Sequence, residues 1–242
     1  DTFYCADGAH GLDFDQSGKV HVVFGINRAH SDGAGTFWFP GVGGIGYWNE
    51  DRPVFSDDLN ALSPYGDPGT ELVDNYSLIG WSQDINGNDT LDILDEWGTY
   101  YLGLSSMPQI HIDDMNQIYV VYSSVTEGYD NDAQSYRNLW ARTSPNGDWW
   151  GTFHHLTSEL IHIFDECVFP SIASASDDNL YLVYQHDNEP GLAVRGDEDP
   201  FGENFISCMT ISKEEIWTSV PENQNLPIYN YDVSQNYPNP FT

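Results

Sequence analysis

Basic residues are scarce in this sequence: 7 lysines and arginines stand against 38 aspartates and glutamates, and the formal net charge at pH 7 is -31. Nucleic acids and anionic lipid surfaces are polyanions, so we expect neither as a partner. The same surplus of carboxylates suits divalent cations, cationic ligands or a salty environment. Charge alone leaves both simple solubility and dedicated cation binding open.

Long apolar runs and paired cysteines are also missing. Without a run of about 18 apolar residues, no membrane span is expected. The 3 cysteines, Cys5, Cys167 and Cys208, include no CxxC pair, so a thiolate zinc site is not predicted. Their count allows either one disulfide, with Cys5 and Cys208 as the pairing considered, or three reduced thiols. No basic, apolar signal segment opens the chain, as in a mature exported protein or a cytosolic one.

The residues that are abundant favour strands and turns. Aromatic residues make up 14% of the chain, alongside 22 glycines and 13 prolines. Long stretches rich in alanine, leucine, glutamate and lysine, which favour helices, are missing. A chain of 242 residues is long enough to form one domain. The composition therefore predicts an all-β protein.

A degenerate repeat organises the chain. Three stretches, at 10–25, 108–123 and 170–185, each place a strand with alternating apolar residues before a polar turn and a second strand. The second strand ends in an aromatic residue, namely Phe24, Tyr122 or Tyr184. This alternation predicts a β-hairpin in each stretch. Because one hairpin cannot bury both of its faces, we expect a β-propeller of four-stranded antiparallel blades.

The spacing of the repeats predicts one further unit at 70–104, with strands at 76–82 and 90–94 joined by an Asn86-Gly87 turn. The chain would then hold four or five units of a propeller with about five or six blades, an incomplete set being allowed. The propeller domain is predicted to span 1–220. The segment 221–242 is dominated by asparagine, glutamine and proline and is interpreted as a linker.

The strongest candidate site is the segment 84–95, where oxygen-bearing side chains recur at the spacing of an EF-hand or dockerin-like calcium loop. Calcium needs six to eight converging oxygen atoms, including a backbone carbonyl near Thr90. The predicted calcium ligands are Asp84, Asn86, Asn88, Thr90, Asp92 and Asp95. Two positions depart from the pattern, since Asp89 stands where glycine is usual and Asp95 where a bidentate glutamate is usual. The alternative is an Asn-Gly hairpin with solvated acids.

Other candidate residues have weaker patterns. His154, His155 and His162 could bind a metal, but their spacing matches no HExxH helix, and adjacent histidines on a strand face opposite ways. Polar contacts at the surface or between strands are the alternative. Cys167 has no histidine or asparagine at a diagnostic spacing, so no thiol nucleophile is expected.

Two groups of aromatic residues are predicted to fill the core. The glycine-rich segment 33–48 has no GxGxxG before a helix, so a phosphate cradle is not expected there. It is predicted to be a tight connection whose aromatic residues cover the core, namely Phe37, Trp38, Phe39, Tyr47 and Trp48. The second group, Trp140, Trp149 and Trp150, is expected between blades, with stacking on sugar rings as the alternative.

Two resemblances add to this interpretation. The string VSQNYPNPF at 233–241 resembles the opening of the C-terminal sorting domain on cargo of the type IX secretion system of Bacteroidetes-like bacteria. The body of the chain, 10–206, resembles the propellers that share an architecture with sialidases. Its string SPNGDWW at 144–150 resembles a degenerate Asp-box of the BNR-repeat kind, with Asn146 in place of the usual aspartate and a spacing one residue shorter.

These resemblances imply an exported protein, extracellular or on the outer-membrane surface, with the type IX machinery as a partner. The segment 221–242 would then be a linker and the start of the sorting signal. The expected function is a non-catalytic binding or structural role, in which propeller loops contact an extracellular glycan or protein. The alternative is a sialidase-like glycoside hydrolase.

A sialidase-like enzyme would need arginines clustered around the carboxylate of its substrate, together with a tyrosine, a glutamate and an aspartate. The five arginines are Arg28, Arg52, Arg137, Arg142 and Arg195. None lies in a Phe/Tyr-Arg-Ile-Pro motif, and each could equally serve an ion pair. No catalytic residue is therefore predicted.

Overall fold

The computed structural model describes residues 1–195 and 201–217. Strands make up 45% of the structure and helices 6%, which confirms the all-β prediction. The strands are β1 (Thr2–Phe14), β2 (Val20–Ser31), β3 (Thr36–Phe39), β4 (Ile45–Asn49), β5 (Leu78–Gly80), β6 (Ser105–Ile112), β7 (Ile118–Asp130), β8 (Ser135–Ser144), β9 (His154–His155), β10 (Glu166–Ile172), β11 (Asn179–Asp187) and β12 (Phe205–Ser212). The short helices are α1 (Glu71–Asp74), α2 (Lys213–Ile216) and 3-10 turns at Leu160–His162 and Ala193–Arg195.

The strands form three antiparallel sheets that follow one another along the chain. The first sheet has the order β1-β2-β4-β5 with β3 paired to β2, the second is β6-β7-β8-β9, and the third is β10-β11-β12. Within the described ranges, only the second sheet has the predicted four strands. Among the described residues the sheets do not close into a barrel or a propeller ring. No helix in this part of the chain is long and apolar enough to cross a membrane.

The three repeated stretches form hairpins of identical register, β1–β2, β6–β7 and β10–β11. The equivalent cross-strand pairs are Leu12 with Val22, Ile110 with Val120, and Ile172 with Leu182. In each hairpin the register also shifts near the start of the repeated stretch, by the same step in the second and third hairpins and by a larger one in the first. Irregularities of this kind add twist to a strand. The repeat in the sequence is therefore a repeat in the structure.

The first two hairpin turns are also closed in the same way. Asp15 and Asp113 each accept, on Oδ1, the backbone N–H groups of the residues two and four positions further on, at 2.8–3.0 Å. Gly18 and Asn116 occupy equivalent positions with φ of +83° and +62°. Glycine and asparagine are the residues that tolerate this left-handed conformation best. The turn chemistry is thus repeated together with the strands.

The sheets pack face to face, and their first strands lie side by side. Between the first and second sheets of this stack, the backbone N–H of Ile112 on β6 donates to Asp13 on β1 at 2.8 Å. Between the second and third sheets, Ser123 on β7 donates to the carbonyl of Cys167 on β10 at 2.9 Å. Gly11 lies so close to β6 that a Cβ atom there would be 3.1 Å from the Pro108 carbonyl oxygen. The first strands therefore line a common side of the stack.

Two apolar clusters hold the stack together. The cluster between the first and second sheets contains Val23, Ile45, Tyr47, Ile79, Ile110, Ile112, Ile118, Val120, Tyr122, Trp140 and Trp150. The cluster between the second and third sheets contains Tyr119, Val121, Leu139, Ala141, Cys167, Leu180, Leu182, Tyr184, Ile211 and Ile216. Burial of large side chains in this way is worth about 1.5–3 kcal/mol each before entropy is counted. The second sheet contributes one face to each cluster.

The further unit predicted at 70–104 is wrong. Leu78–Gly80 is a strand, but it pairs with β4 as part of the first sheet, and 90–94 forms no strand. The reason lies in the polar side chains of this segment, because aspartate and asparagine there accept hydrogen bonds from nearby backbone N–H groups. Such local bonds compete with the ladder of a β-hairpin. The segment between Gly80 and β6 is a loop.

Aromatic residues follow the prediction only in part. Tyr47, Trp140 and Trp150 are buried, whereas Phe37 and Trp38 are exposed on β3. The reason is that β3 pairs only with the far end of β2, beyond the sheet-to-sheet contacts. The segment 144–150, which resembles an Asp-box, lies between the paired strands β8 and β9 of the second sheet, and the resemblance itself stays a prediction. The segment 221–242, predicted to be a linker and sorting signal, lies outside the described residues.

Candidate functional site

The predicted calcium segment folds into a loop that wraps around its own carboxylates. Asp84 accepts the backbone N–H groups of Gly87 and Asp89 at 2.7 and 2.8 Å, one on each carboxylate oxygen. The Nδ2 groups of Asn86 and Asn88 both donate to Oδ2 of Asp92, at 3.0 and 2.7 Å. Four of the six predicted ligands are thus brought together.

The two departures from the calcium pattern have different outcomes. Asp89 takes up φ of +64°, the left-handed conformation that glycine usually supplies at this position, so the sharp turn forms. Asp95 is exposed, and no hydrogen bond within the described residues links it to the loop. Because the segment after 92 runs toward β8, where Leu94 N–H donates to Ser135, Asp95 is carried away from the other ligands. Thr90 lies on the loop and donates its N–H to Asn88 Oδ1.

Glu127 on β7 supplies a carboxylate that holds the start of the loop. Its Oε2 accepts the N–H groups of Ile85 and Asn86 at 2.5 and 3.1 Å, and its Oε1 accepts from the side chain of Asn86. The side chain is only 5% exposed. The sequence pattern did not identify Glu127, because this residue lies roughly forty positions after Asp84 and a spacing pattern relates only residues that are close in the chain. The carboxylates of this loop accept hydrogen bonds from backbone N–H groups and from the Nδ2 groups of Asn86 and Asn88, and calcium binding here stays a prediction.

A second group of titratable side chains lies at the edge between the second and third sheets. His162 and His186 each place Nδ1 at 3.0 Å from Oδ2 of Asp165. His162 ends a 3-10 turn, Asp165 directly precedes β10, and His186 lies near the end of β11. The ligand atoms of the three residues lie within 4.8 Å of one another. We call these three residues the histidine cluster.

The other ring nitrogens in the histidine cluster are also bonded. His162 Nε2 lies 2.9 Å from the hydroxyl of Tyr184, and His186 Nε2 lies 2.8 Å from the hydroxyl of Ser207. These contacts fix both ring planes, which meet at 89° with centroids 5.3 Å apart. The sulfur of Cys167 lies 3.8 Å from His162 Nδ1, and burial raises the pKa of this thiol. The cluster is therefore held from several strands.

The structure separates the three histidines that the sequence grouped. His155 stacks on Trp140 at 4.4 Å between centroids, and burial lowers its pKa to about 4. His154 lies on the same two-residue strand, pairs with Ala141 on β8, and burial lowers its pKa too. Only His162 joins a cluster, and its partners Asp165 and His186 were not predicted. The sequence signal available was the short His-x-x-Asp spacing, which by itself is common.

Four arginines make hydrogen bonds or ring contacts with other residues of the protein. Arg137 and Arg142 are buried; Arg137 donates to the carbonyls of Gly98 and Leu104, and Arg142 donates to those of Ile79 and Gly151. Arg52 donates to the carbonyls of Asn75 and Gly147, and Arg28 stacks over Tyr4 and Phe39. These arginines therefore serve different parts of the first and second sheets.

Arg137 also approaches a buried carboxylate. Its Nε lies 3.8 Å from Oε1 of Glu166, and its backbone N–H donates to the other oxygen. Burial raises the pKa of Glu166 to about 7, in spite of the attraction from Arg137. The pair links β8 of the second sheet to β10 of the third. All three cysteines are free thiols, so the alternative of a disulfide between Cys5 and Cys208 is not realised.

Comparisons with known proteins add no assignment. No model of a known protein family matches the chain, and a search of curated proteins finds no significant relative.

Proposed function

We propose that this chain is a non-catalytic binding or structural module of an exported protein, at the cell surface or secreted, built from consecutive blades of a β-propeller. Its export would use the type IX secretion system, as the string at 233–241 suggests, and calcium would hold the loop at 84–92 against Glu127. The loops and edges of the blades would contact an extracellular glycan or protein.

The hydrogen bonds of the arginines are the observation that favours a binding role over catalysis. A sialidase-like enzyme needs several guanidinium groups free to clamp the carboxylate of its substrate. In this protein the guanidinium groups of Arg52, Arg137 and Arg142 each donate two or more hydrogen bonds to backbone carbonyls. Freeing a buried arginine would leave those carbonyls unpaired, at a cost of about 1–3 kcal/mol for each group. This arrangement favours the binding role.

The repeated faces of the sheets support the propeller. Val23, Val121 and Val183 are equivalent in the three hairpins, and the first two are buried against the following sheet. The residues on the opposite face, such as Val120 and Leu182, are buried against the preceding sheet. Successive blades of a propeller pack in this manner, with each repeat contacting its neighbours.

An exposed aromatic edge supports a contact with a ligand. Phe37 and Trp38 are adjacent on β3, so their side chains point to opposite faces of this strand, and they are 58% and 43% exposed. Aromatic residues supply large contact area at interfaces, and tryptophan retains a polar N–H for a partner. This edge is the surface on which we expect a glycan or protein to bind.

One experiment compares hydrolysis with binding. The 242-residue chain would be incubated with a fluorogenic sialoside and, separately, with an array of extracellular glycans. We expect no turnover, and we expect glycan binding that Trp38→Ala weakens at least about tenfold, since hot-spot truncations cost more than about 1.4 kcal/mol. Phe14→Ala, an exposed aromatic of the first sheet, is the matched control and should bind as wild type. Sialoside turnover would contradict the proposal.

Export is tested separately. The parent protein would be produced in a bacterium with a working type IX system and in a strain that lacks the translocon. We expect it on the surface or in the medium of the first strain and in the periplasm of the second. An identical distribution in the two strains would rule out this route.

A further inference from the structure

The histidine cluster combines two imidazoles and one carboxylate whose donor atoms already converge. We propose that His162 Nδ1, His186 Nδ1 and one oxygen of Asp165 form a binding site for a single divalent transition-metal ion of the zinc class. This inference concerns the third sheet alone and does not rest on export or on the binding role.

The distances require little rearrangement. Each imidazole nitrogen lies 3.0 Å from the same carboxylate oxygen, and all three donor atoms lie within 4.8 Å of one another. Zinc bonds to nitrogen and oxygen are about 2.0–2.2 Å long, so neighbouring donors in a tetrahedral site are roughly 3.3 Å apart. An ion entering the cluster would therefore move each nitrogen a few tenths of an ångström away from the carboxylate oxygen and draw together the two nitrogens, which lie within 4.8 Å of each other.

The partners of the distal nitrogens have the pattern of a metal centre. In metal sites, a histidine that binds through one nitrogen usually donates its other N–H to a nearby oxygen, which fixes the tautomer. Tyr184 and Ser207 provide that oxygen to His162 and His186, at 2.9 and 2.8 Å. If both distal nitrogens carry the proton, both proximal nitrogens present lone pairs to the same carboxylate oxygen. A cation between them relieves this repulsion.

Charge and access also favour a cation. Asp187 directly follows His186 and pairs across the sheet with Glu166, which directly follows Asp165, so further carboxylates lie beside the cluster. The field around the cluster is therefore negative. His162 is buried, while Asp165 and His186 keep 21% and 16% of their side chains exposed, which leaves an open edge for entry and for a water ligand. Two imidazoles with one carboxylate and an open position suit zinc and its neighbours rather than calcium.

The metal ion would stabilise the segment that connects the second sheet to the third. His162 and Asp165 lie on the segment that leaves β9 of the second sheet and enters β10 of the third, whereas His186 lies on β11. These parts are already joined by the pairing of β10 with β11 and by the contact of His162 with Tyr184, and an ion would add a further link. Binding of an ion to the folded state alone would stabilise the third sheet.

Zinc titration of the untagged 242-residue chain tests the site. The titration is performed calorimetrically in excess calcium, which occupies weak carboxylate sites on this acidic surface. We expect one tight equivalent of zinc in the wild type. His186→Ala and Asp165→Asn should weaken it at least about 100-fold, because loss of even a second-layer partner typically costs 10–100-fold. Tyr184→Phe should weaken it about tenfold for that reason. His10→Ala, an exposed histidine of β1, should bind as wild type.

Equal zinc affinity in the wild type, His186→Ala and Asp165→Asn would overturn the site, since it would assign the zinc to the acidic surface. A measurement on the wild type covers the case in which a variant does not fold. Cobalt added to the wild type should give the strong visible absorption of a low-coordinate site, and its paramagnetism should broaden NMR signals around His162, Asp165 and His186. A weak octahedral spectrum, or broadening spread over the surface, would also overturn the proposal.

Discussion

The second and third sheets carry the same residues at equivalent positions but bury them differently. Tyr119 and Val121 of β7 are each 1% exposed, whereas their equivalents in β11, Tyr181 and Val183, are each 40% exposed. The first ten residues of β7 are all buried, while β11 alternates between buried and exposed residues. Among the described residues, the second sheet packs against a neighbouring sheet on both faces, whereas the third packs against one on the face of Leu182 alone.

The repeat therefore determines the residue types at equivalent positions, whereas the neighbouring sheets determine how far each residue is buried. The residue types on both faces of β11 are those of a sheet between two neighbours, since the same tyrosine and valine are core residues in β7. Tyr181, Val183 and Ile206 are exposed apolar residues that the strand register places on the same face of the third sheet. A further blade on this face is what the proposed propeller predicts.

The largest effect should come from matched tyrosine substitutions. Tyr119→Ala opens a cavity between the second and third sheets and should lower the free energy of unfolding by about 3–5 kcal/mol. Tyr181→Ala removes a half-exposed ring and should cost about 1 kcal/mol or less. Urea denaturation of the two variants measures the difference. Equal losses would mean that the two sheets do not differ in coverage.

Calcium should stabilise the second sheet through Glu127, which has Glu189 as its equivalent after β11. At a hundredfold excess over its dissociation constant, calcium should add about 2.7 kcal/mol to the free energy of unfolding. Glu127→Gln should abolish this gain and Glu189→Gln should leave it intact. Thermal melting with calcium and with a chelator measures both. A midpoint that does not change with chelator in the wild type would remove the calcium site.

The boundary between the second and third sheets should respond to pH through Glu166. Its folded pKa is raised to about 7, whereas a glutamate in an unfolded chain titrates near about 4.3. The folded state binds this proton more tightly, so the group's contribution to stability is complete below about pH 4 and is lost as the pH rises through about 7. The loss should be on the order of 1–3 kcal/mol.

Glu166→Gln should flatten this pH dependence. Urea denaturation near about pH 5 and pH 8 provides the comparison, with Glu189→Gln as a control that keeps the wild-type slope. A slope unchanged by Glu166→Gln would place the ionisation elsewhere on this highly charged protein.

The smallest effect should come from the open face itself. Ile206→Ser replaces an exposed apolar residue of β12 and should change the free energy of unfolding by about 0.5 kcal/mol or less. Denaturation of this variant beside the wild type provides the measurement. A loss of several kcal/mol would show that another part of the chain covers this face.

The sequence predicted the features that depend on local pattern. Alternation around Val22, Val120 and Leu182 identified three hairpins, because a period of two has a direct structural meaning. The loop at 84–92 was found from the spacing of its oxygen-bearing side chains. The Asp15 and Asp113 turns follow from the same kind of local chemistry.

The remaining features depend on contacts between distant segments. Glu127 approaches Asn86 only because the loop folds back over the end of β7, and His186 approaches His162 only because β11 pairs with β10. No periodic pattern within one segment predicts contacts between such distant segments. The wrong prediction at 70–104 has a related cause. Leu78–Gly80 pairs with β4, so this strand belongs to the first sheet and is not part of a separate hairpin.

Thiol labelling at three equivalent valines tests most directly whether the hairpins are copies of one sheet unit stacked in order. Val23→Cys, Val121→Cys and Val183→Cys would be made in a chain with Cys5, Cys167 and Cys208 replaced, and each native protein exposed to a small thiol reagent. The buried positions 23 and 121 should be strongly protected, while position 183 should react at a rate close to that of a free thiol. Similar rates at 121 and 183, or rapid labelling at 23, would contradict the stack.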